Sequence, residues 1–292
     1  DNNQKRNLNS LKYLAKRFSY TKISKINENN KLRLLTIDNN QKRNALSLQV
    51  LEDLKGSVIE LKKEFEESKG KSSSVVILAS EGPVFSAGHD VKELTNLTED
   101  KQKYVFSLMG EIMTAINQHP SIFISEIQGL ATAAGLQLAT SCDLSIATSR
   151  SEFSTPGIKI GLFCTTPSVA ISKLISPKRA MHMLLTGQNI NAKTALEWGL
   201  INKLVDVSDL FEYEEIRKKL RVESVKYAES ITCFSSQTFS LGKQAFNKQL
   251  GMNSLEEKYN YGSCVMSENF NFPDCKEGVK AFIEKRKPDF KH

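Results

Sequence analysis

No metal-binding or disulfide framework is written into this chain. Its five cysteines, Cys142, Cys164, Cys233, Cys264 and Cys275, form no Cys-x-x-Cys pair and have no histidine at ligand spacing. They read as small core residues of a protein in a reducing compartment. A long apolar run is also missing. The most apolar stretch, Ile122 to Ala139, is interrupted by Ser125, Glu126, Gln128 and Gln137, which argues against a membrane span. Acidic residues are absent between Asp1 and Glu28, and that local shortage carries most of the net charge of +7. Residues 1–31 hold eight Lys/Arg against two acids, a net of +6, whereas the remainder holds 32 basic and 31 acidic side chains, a net of +1. A nearly neutral remainder disfavours DNA or RNA as a partner, because that affinity rests on clustered phosphate neutralisation.

Within the basic leader, Leu8, Leu11, Leu14 and Phe18 fall on one face at helical spacing. A basic, acid-poor amphipathic segment has the pattern of a mitochondrial transit peptide; a solvated arm is the alternative. Residues 1–30 are assigned to this leader. Beyond it, Leu32–Ile37 reads as a strand, and Leu48, Leu51, Leu54, Val58, Leu61 and Phe65 predict a helix capped by Ser47. Val75–Ala79 is a short apolar strand, Val105–Ile116 a helix stopped by Pro120, and Ile122–Ile127 and Leu144–Thr148 are strands. Apolar runs without strict alternation, separated by helices, predict an α/β protein with a parallel sheet buried on both faces. The second half reads as helical at Pro177–Leu185, Ala192–Trp198, Glu212–Ile231 and near Ser254–Ser267.

Two loops carry candidate chemistry. Gly82 to Asp90 follows the strand at Val75, where glycine lets backbone approach a ligand closely. Gln128 to Gln137 runs between a strand and a helix, so small residues leave N–H groups free at a helix start. Donors from two such loops can converge on one carbonyl oxygen.

Taken in order, Lys42-Arg43-Asn44-Ala45-Leu46-Ser47, the stretch Phe85 to Leu94, Gly129 to Gly135 with Cys142-Asp143, Ala192 to Val205 and Gly278 to Phe290 resemble the enoyl-CoA hydratase/isomerase (crotonase) family. The resemblance covers about Leu32 to Phe290. It implies a crotonase spiral of β-β-α layers over residues 31–205, with a C-terminal helical trimerisation region over 206–292. It implies an acyl-CoA thioester as the bound partner, with coenzyme A as part of the substrate and neither a separate cofactor nor a metal. A mitochondrial matrix location in fatty-acid metabolism goes with it. The family's oxyanion hole uses two backbone N–H groups, which fall here on His89 and Ala134. The segment Ala87, Gly88 and Asp90 would cradle the adenine part, and Lys42, Arg43 or Lys92 would meet phosphates. Phe282 and Lys285 match positions through which a neighbouring subunit completes the site, so a trimer or dimer of trimers is implied.

At two positions the pattern breaks. The family's hydratases use two glutamates to move protons, and the matching positions here are Gln137 and Gly157. General acid–base catalysis is typically worth about 10²–10⁴-fold, so the family resemblance does not imply efficient hydration. His89 is a candidate titrating group beside the hole, although the preferred reading has it contribute only its N–H while its ring packs against coenzyme A or solvent. Cys164 reads as core packing for want of a paired base. His119, His182 and Asp143 read as structural. Hydratase- or isomerase-like turnover, thioester hydrolysis or decarboxylation, and a non-catalytic acyl-CoA sensor therefore all stand as functions.

Overall fold

The computed structural model of the chain describes residues 19–26 and 29–292. Strands β1 (Thr21–Ile26) and β2 (Asn29–Ile37) form an antiparallel pair. The leader assigned to residues 1–30 is thus corrected over its last third. Lys22 and Lys25 point outward from an edge strand, while Ile23 packs toward the core and Thr21 Oγ1 meets Ser57 Oγ at 2.8 Å. The amphipathic segment at Leu8–Phe18 lies outside the described residues.

From β2 onward the main sheet is parallel: β2, β3 (Val75–Ser80), β4 (Ile122–Ile127), β6 (Leu144–Thr148) and β9 (Lys203–Val205), with β1 at the edge. Every residue of β3 and β4 is buried, which is why neither alternates in sequence. Helices α1 (Leu48–Glu67), α2 (Val91–Thr95) and α3 (Glu99–Asn117) follow β2 and β3. The buried stripe Val50, Leu51, Leu54, Val58 and Leu61 of α1 packs with Val105, Leu108, Met109 and Ile112 of α3 over one sheet face. Ser47 caps α1 by accepting from the Val50 N–H, as the sequence predicts.

A second, three-stranded sheet joins β5 (Leu130–Thr132), β7 (Glu152–Ser154) and β8 (Ile190–Asn191). Its strand β5 runs into α4 (Ala134–Ser141), and β7 runs into a 3-10 turn at Pro156–Ile160. Then come α5 (Thr165–Ile171), α6 (Pro177–Thr186) and α7 (Ala192–Trp198), the last bounded by Asn191 and Gly199 as its sequence signals. The C-terminal part is helical: α8 (Tyr213–Thr232), α9 (Ser236–Leu250), α10 (Leu255–Phe270) and α11 (Pro273–Ile283). Leu220 and Ala228 of α8 cover the other face of the sheet. No helix among the described residues is long and apolar enough to cross a membrane.

Candidate functional site

The loops at Gly82–Asp90 and Gln128–Ala133 leave the carboxyl ends of β3 and β4, and buried side chains bind them to each other. Gln128 Nε2 donates to the carbonyls of Ser80 (2.7 Å) and Gly82 (2.9 Å). Asn44 Nδ2 donates to the carbonyls of Glu81 and Val84 (2.6 and 2.7 Å), and Ser86 Oγ donates to the Asn44 carbonyl. Ser86 and Ala131 form a parallel bridge. The two loops therefore form one rigid body. Asn44 and Gln128 stand in recognisable motifs of the sequence, but their clamping role depends on carbonyls from distant segments.

Gly88 and Ala134 meet within that body. A Cβ built on Gly88 (φ +86°) would lie 3.0 Å from the Thr132 carbonyl oxygen and 3.3 Å from the Ala134 nitrogen. Only glycine permits this close approach at that backbone angle. Its carbonyl accepts from the Leu46 N–H at 2.8 Å, which fixes the peptide that presents the His89 N–H. On the other side, Ala133 is held at φ 49°, ψ −119°, a conformation costing an L-residue on the order of 1–3 kcal/mol. The bond from the Ala133 N–H to the Ser154 carbonyl (3.0 Å) helps hold it. This ψ turns the following peptide, so the Ala134 N–H points out of the first turn of α4. Among the described residues neither the His89 nor the Ala134 N–H has an acceptor. The site thus offers two preset donors from separate loops, one of them at a helix start where partial positive charge gathers.

Around these donors, buried side-chain atoms also find no partner among the described residues: His89 Nε2, Gln137 Oε1 and Thr155 Oγ1. Gln137 lies one helical turn beyond Ala134, and Thr155 follows the residue that holds Ala133. The His89 ring meets Phe106 edge-on at 5.3 Å, and its Nδ1 lies 3.4 Å from the Leu46 carbonyl oxygen. Desolvation lowers the His89 pKa, opposed by that carbonyl. The neutral ring with its proton on Nδ1 fits this setting and leaves Nε2 as an acceptor.

At Gly157 there is no room for a glutamate. A Cβ there would collide with the Leu162 carbonyl oxygen and stand 2.8 Å from Cys164 Sγ. The Leu162 N–H donates to the Gly157 carbonyl at 2.9 Å, which ties the loop shut across the position. Cys164 is buried, and desolvation raises its thiol pKa, consistent with packing rather than nucleophilic attack. Glu152 is exposed and accepts from Asn189.

The structure gathers some predicted ligand residues and separates others. Lys42, Arg43, Ala87, Gly88, Asp90 and Lys92 lie together: the Ala87 N–H donates to the Arg43 carbonyl, and Lys42 Nζ is 2.9 Å from Asp90 Oδ2. Asp90 also caps α2 through the Glu93 N–H, and its hydrogen bond from Lys42 holds its carboxyl below the usual range. Lys42, Arg43 and Lys92 are exposed. Phe282 and Lys285 stand elsewhere. They lie at the exposed end of α11, whose Asp274 accepts from the Lys291 and His292 N–H groups. The His292 carbonyl in turn accepts from Lys31 at the start of β2. That anchor lies at the amino ends of the parallel strands, opposite His89 and Ala134.

Comparison with known proteins bears on the fold and the family. A family model described as enoyl-CoA hydratase/isomerase matches residues 27–292. Enoyl-CoA hydratase domain-containing protein 3, mitochondrial, of Mus musculus is 39% identical over 262 residues, covering 89% of this chain and 82% of the relative. The Xenopus laevis protein of that name is 37% identical and covers 99% and 92% of the two chains. The crystal structure of the human protein of that name superposes with a TM-score of 0.83 at 37% identity, covering 93% of this chain and all of that one. An enoyl-CoA hydratase structure from Mycobacterium smegmatis gives 0.84 at 31% identity, covering 94% and 99%. On the family model over residues 27–292 and these identities, this chain belongs to the enoyl-CoA hydratase/isomerase family.

Proposed function

We propose that this chain binds an acyl-CoA thioester, with the thioester oxygen accepting from the His89 and Ala134 N–H groups. The observation that supports the reading most is the pair of unpartnered donors brought together by Gly88 and Ala133. Such donors polarise the carbonyl and stabilise the enolate formed when a proton leaves Cα or a nucleophile adds at Cβ. Loss of one preset donor in a dry site costs roughly 2.7–4 kcal/mol of transition-state stabilisation. Lys42, Arg43 and Lys92 supply exposed cations beside the Ala87–Asp90 segment for the phosphates of coenzyme A. Phe282, at 85% exposure, and Ile283, at 72%, support a further subunit against α11, in a trimer or dimer of trimers. The relatives named mitochondrial, together with the basic leader in the sequence, support a mitochondrial location.

Proton handling separates this chain from a glutamate-pair hydratase. The amide of Gln137 takes no proton at neutral pH, and the Gly157 position is closed by Leu162 and Cys164. Two readings follow from that observation: chemistry at the same two donors that needs fewer proton-carrying side chains, either decarboxylation through an enolate or thioester hydrolysis through a tetrahedral oxyanion that expels the coenzyme A thiolate, or acyl-CoA binding without turnover. A panel of enoyl-, hydroxyacyl- and malonyl-type CoA esters, followed by titration calorimetry and product analysis, tests them. Binding of acyl-CoA with reversible hydration much slower than another conversion, or with no turnover, is expected. Efficient reversible hydration by the natural protein would contradict the proton-handling argument. Absence of binding by any ester would overturn the thioester site itself.

A further inference from the structure

The thioester reading fixes where an acyl chain starts, and the helices beside it fix where the chain can go. Below Ala134, along α4, a cavity of about 820 Å³ opens, walled by α4, α3, α5 and α9. On α4 its wall is Gln137, Thr140 and Ser141, which lie on the Ala134 side of the helix at spacings of three and four. On α3 its wall is Gly110, Met113, Thr114 and Asn117. Phe106, which touches the His89 ring, lies one turn earlier on that same face. Both helix faces thus run from the two donors down into the cavity. The carboxamide of Gln137, only 4% exposed and with its oxygen unpartnered, stands at the entrance. Phe239 and Leu174 add apolar wall, and Val169, Phe246 and Leu250, each about 60% exposed, form the outer rim.

We propose that this trough receives the hydrocarbon chain of the bound thioester, and that the substrates are acyl-CoAs with chains of roughly eight carbons or more. Ala134 to Ser141 spans about 10 Å at ~1.5 Å per helical residue. A zigzag of ~1.5 Å bonds advances ~1.25 Å per carbon, so about eight carbons fill that length. The volume lies in the upper part of the roughly 300–1,000 Å³ range of pockets that enclose a whole ligand. It far exceeds the need of a four-carbon acyl group. Gly110 widens the trough at its middle, where a Cβ would meet nothing within 4 Å.

This inference rests on the thioester reading, and one experiment separates the two. Titration calorimetry of butanoyl-, hexanoyl-, octanoyl-, decanoyl- and dodecanoyl-CoA is compared between the natural chain and Gly110→Leu. Gly110→Leu places a branched side chain in the trough from a helical position that favours leucine over glycine. In the natural chain, affinity rises roughly three- to fourfold per methylene up to about ten carbons and then levels. In Gly110→Leu the rise with chain length is lost. Butanoyl-CoA binding as tightly as decanoyl-CoA in the natural protein overturns the inference, and that comparison needs no variant. A slope unaltered by Gly110→Leu overturns it too, because the chain then takes another route. A second copy seated in the trough would give a flat series and an oligomeric state altered by Gly110→Leu, which also counts against it. If no ester of any length binds, the thioester reading itself falls.

Discussion

The two ends of α4 treat buried polar groups in opposite ways. At its end, near the amino ends of the strands, Lys243 Nζ donates to the carbonyls of Ile116 (2.9 Å) and Ser121 (2.8 Å) and to the Asp143 carboxylate (2.7 Å). Asp143 also accepts from the Phe123 N–H. Nearby, His119 has its Nε2 at 3.2 Å from the Val58 carbonyl and accepts from the Ser121 N–H through Nδ1. At its start, His89 Nε2, Gln137 Oε1 and Thr155 Oγ1 have no partner among the described residues, and Ala133 is strained. Polar atoms that are buried and satisfied specify the fold. Those left open beside a strained peptide are retained for something outside the chain.

The comparison breaks most visibly at Lys243. Burial pulls the Lys243 pKa down and the Asp143 pKa up, and the charge of each opposes the shift of the other. Lys243→Met leaves the buried Asp143 carboxylate without its counter-ion and the Ser121 carbonyl without its lysine donor, and a loss of about 3–5 kcal/mol is expected in chemical denaturation. Gln137→Met removes a polar group whose carboxamide oxygen bonds nothing, so its stability should stay within about 1 kcal/mol of the natural chain. Equal losses at the two positions would erase the contrast.

Acid sharpens it next. Desolvation, helped by the charge of Lys243, lowers the His119 pKa to about 3. The folded state therefore binds the proton far less readily than the unfolded state. The stability that His119 contributes is present above the unfolded pKa near 6.5 and is lost as pH falls toward 3. By pH 5 the loss amounts to roughly 2 kcal/mol. Denaturation curves from pH 7 to 5 should show it in the natural chain and not in His119→Gln; a parallel loss in both would assign it elsewhere. Of similar size is the expected effect of Gly157→Ala, about 1–3 kcal/mol, because Leu162 and Cys164 must move aside. A neutral Gly157→Ala would show that the loop yields easily and that a glutamate there is tolerable.

Much of this arrangement was legible in the chain. The spacing of Leu48 to Phe65 with Ser47 in front of it, and the uninterrupted apolar runs at Val75 and Ile122, signalled the first helix and the central strands. The strand β1 was hidden because Lys22 and Lys25 leave Ile23 and Ile26 on opposite faces, with no apolar alternation, on an edge where exposed lysine protects an unpaired strand. The helix α9 was hidden because its buried face carries Ser236, Ser240 and Lys243. That pattern looks polar until Asp143, a hundred residues earlier, completes it. At the site, the family resemblance carried His89, Ala134, Gln137 and Gly157. It carried nothing about the strain at Ala133, the closure over Gly157 or the pairing of Lys42 with Asp90, because each depends on side chains or peptides from separate loops.

The account turns on whether a thioester oxygen sits between the two N–H groups. Infrared difference spectroscopy of butanoyl-CoA labelled with ¹³C at the thioester carbonyl, free and bound to the natural chain, reads this bond directly. Two preset donors in a site shielded from water should polarise the carbonyl and move its stretch to lower frequency than in water. A bound ester whose carbonyl stretch matches that in water would contradict the account.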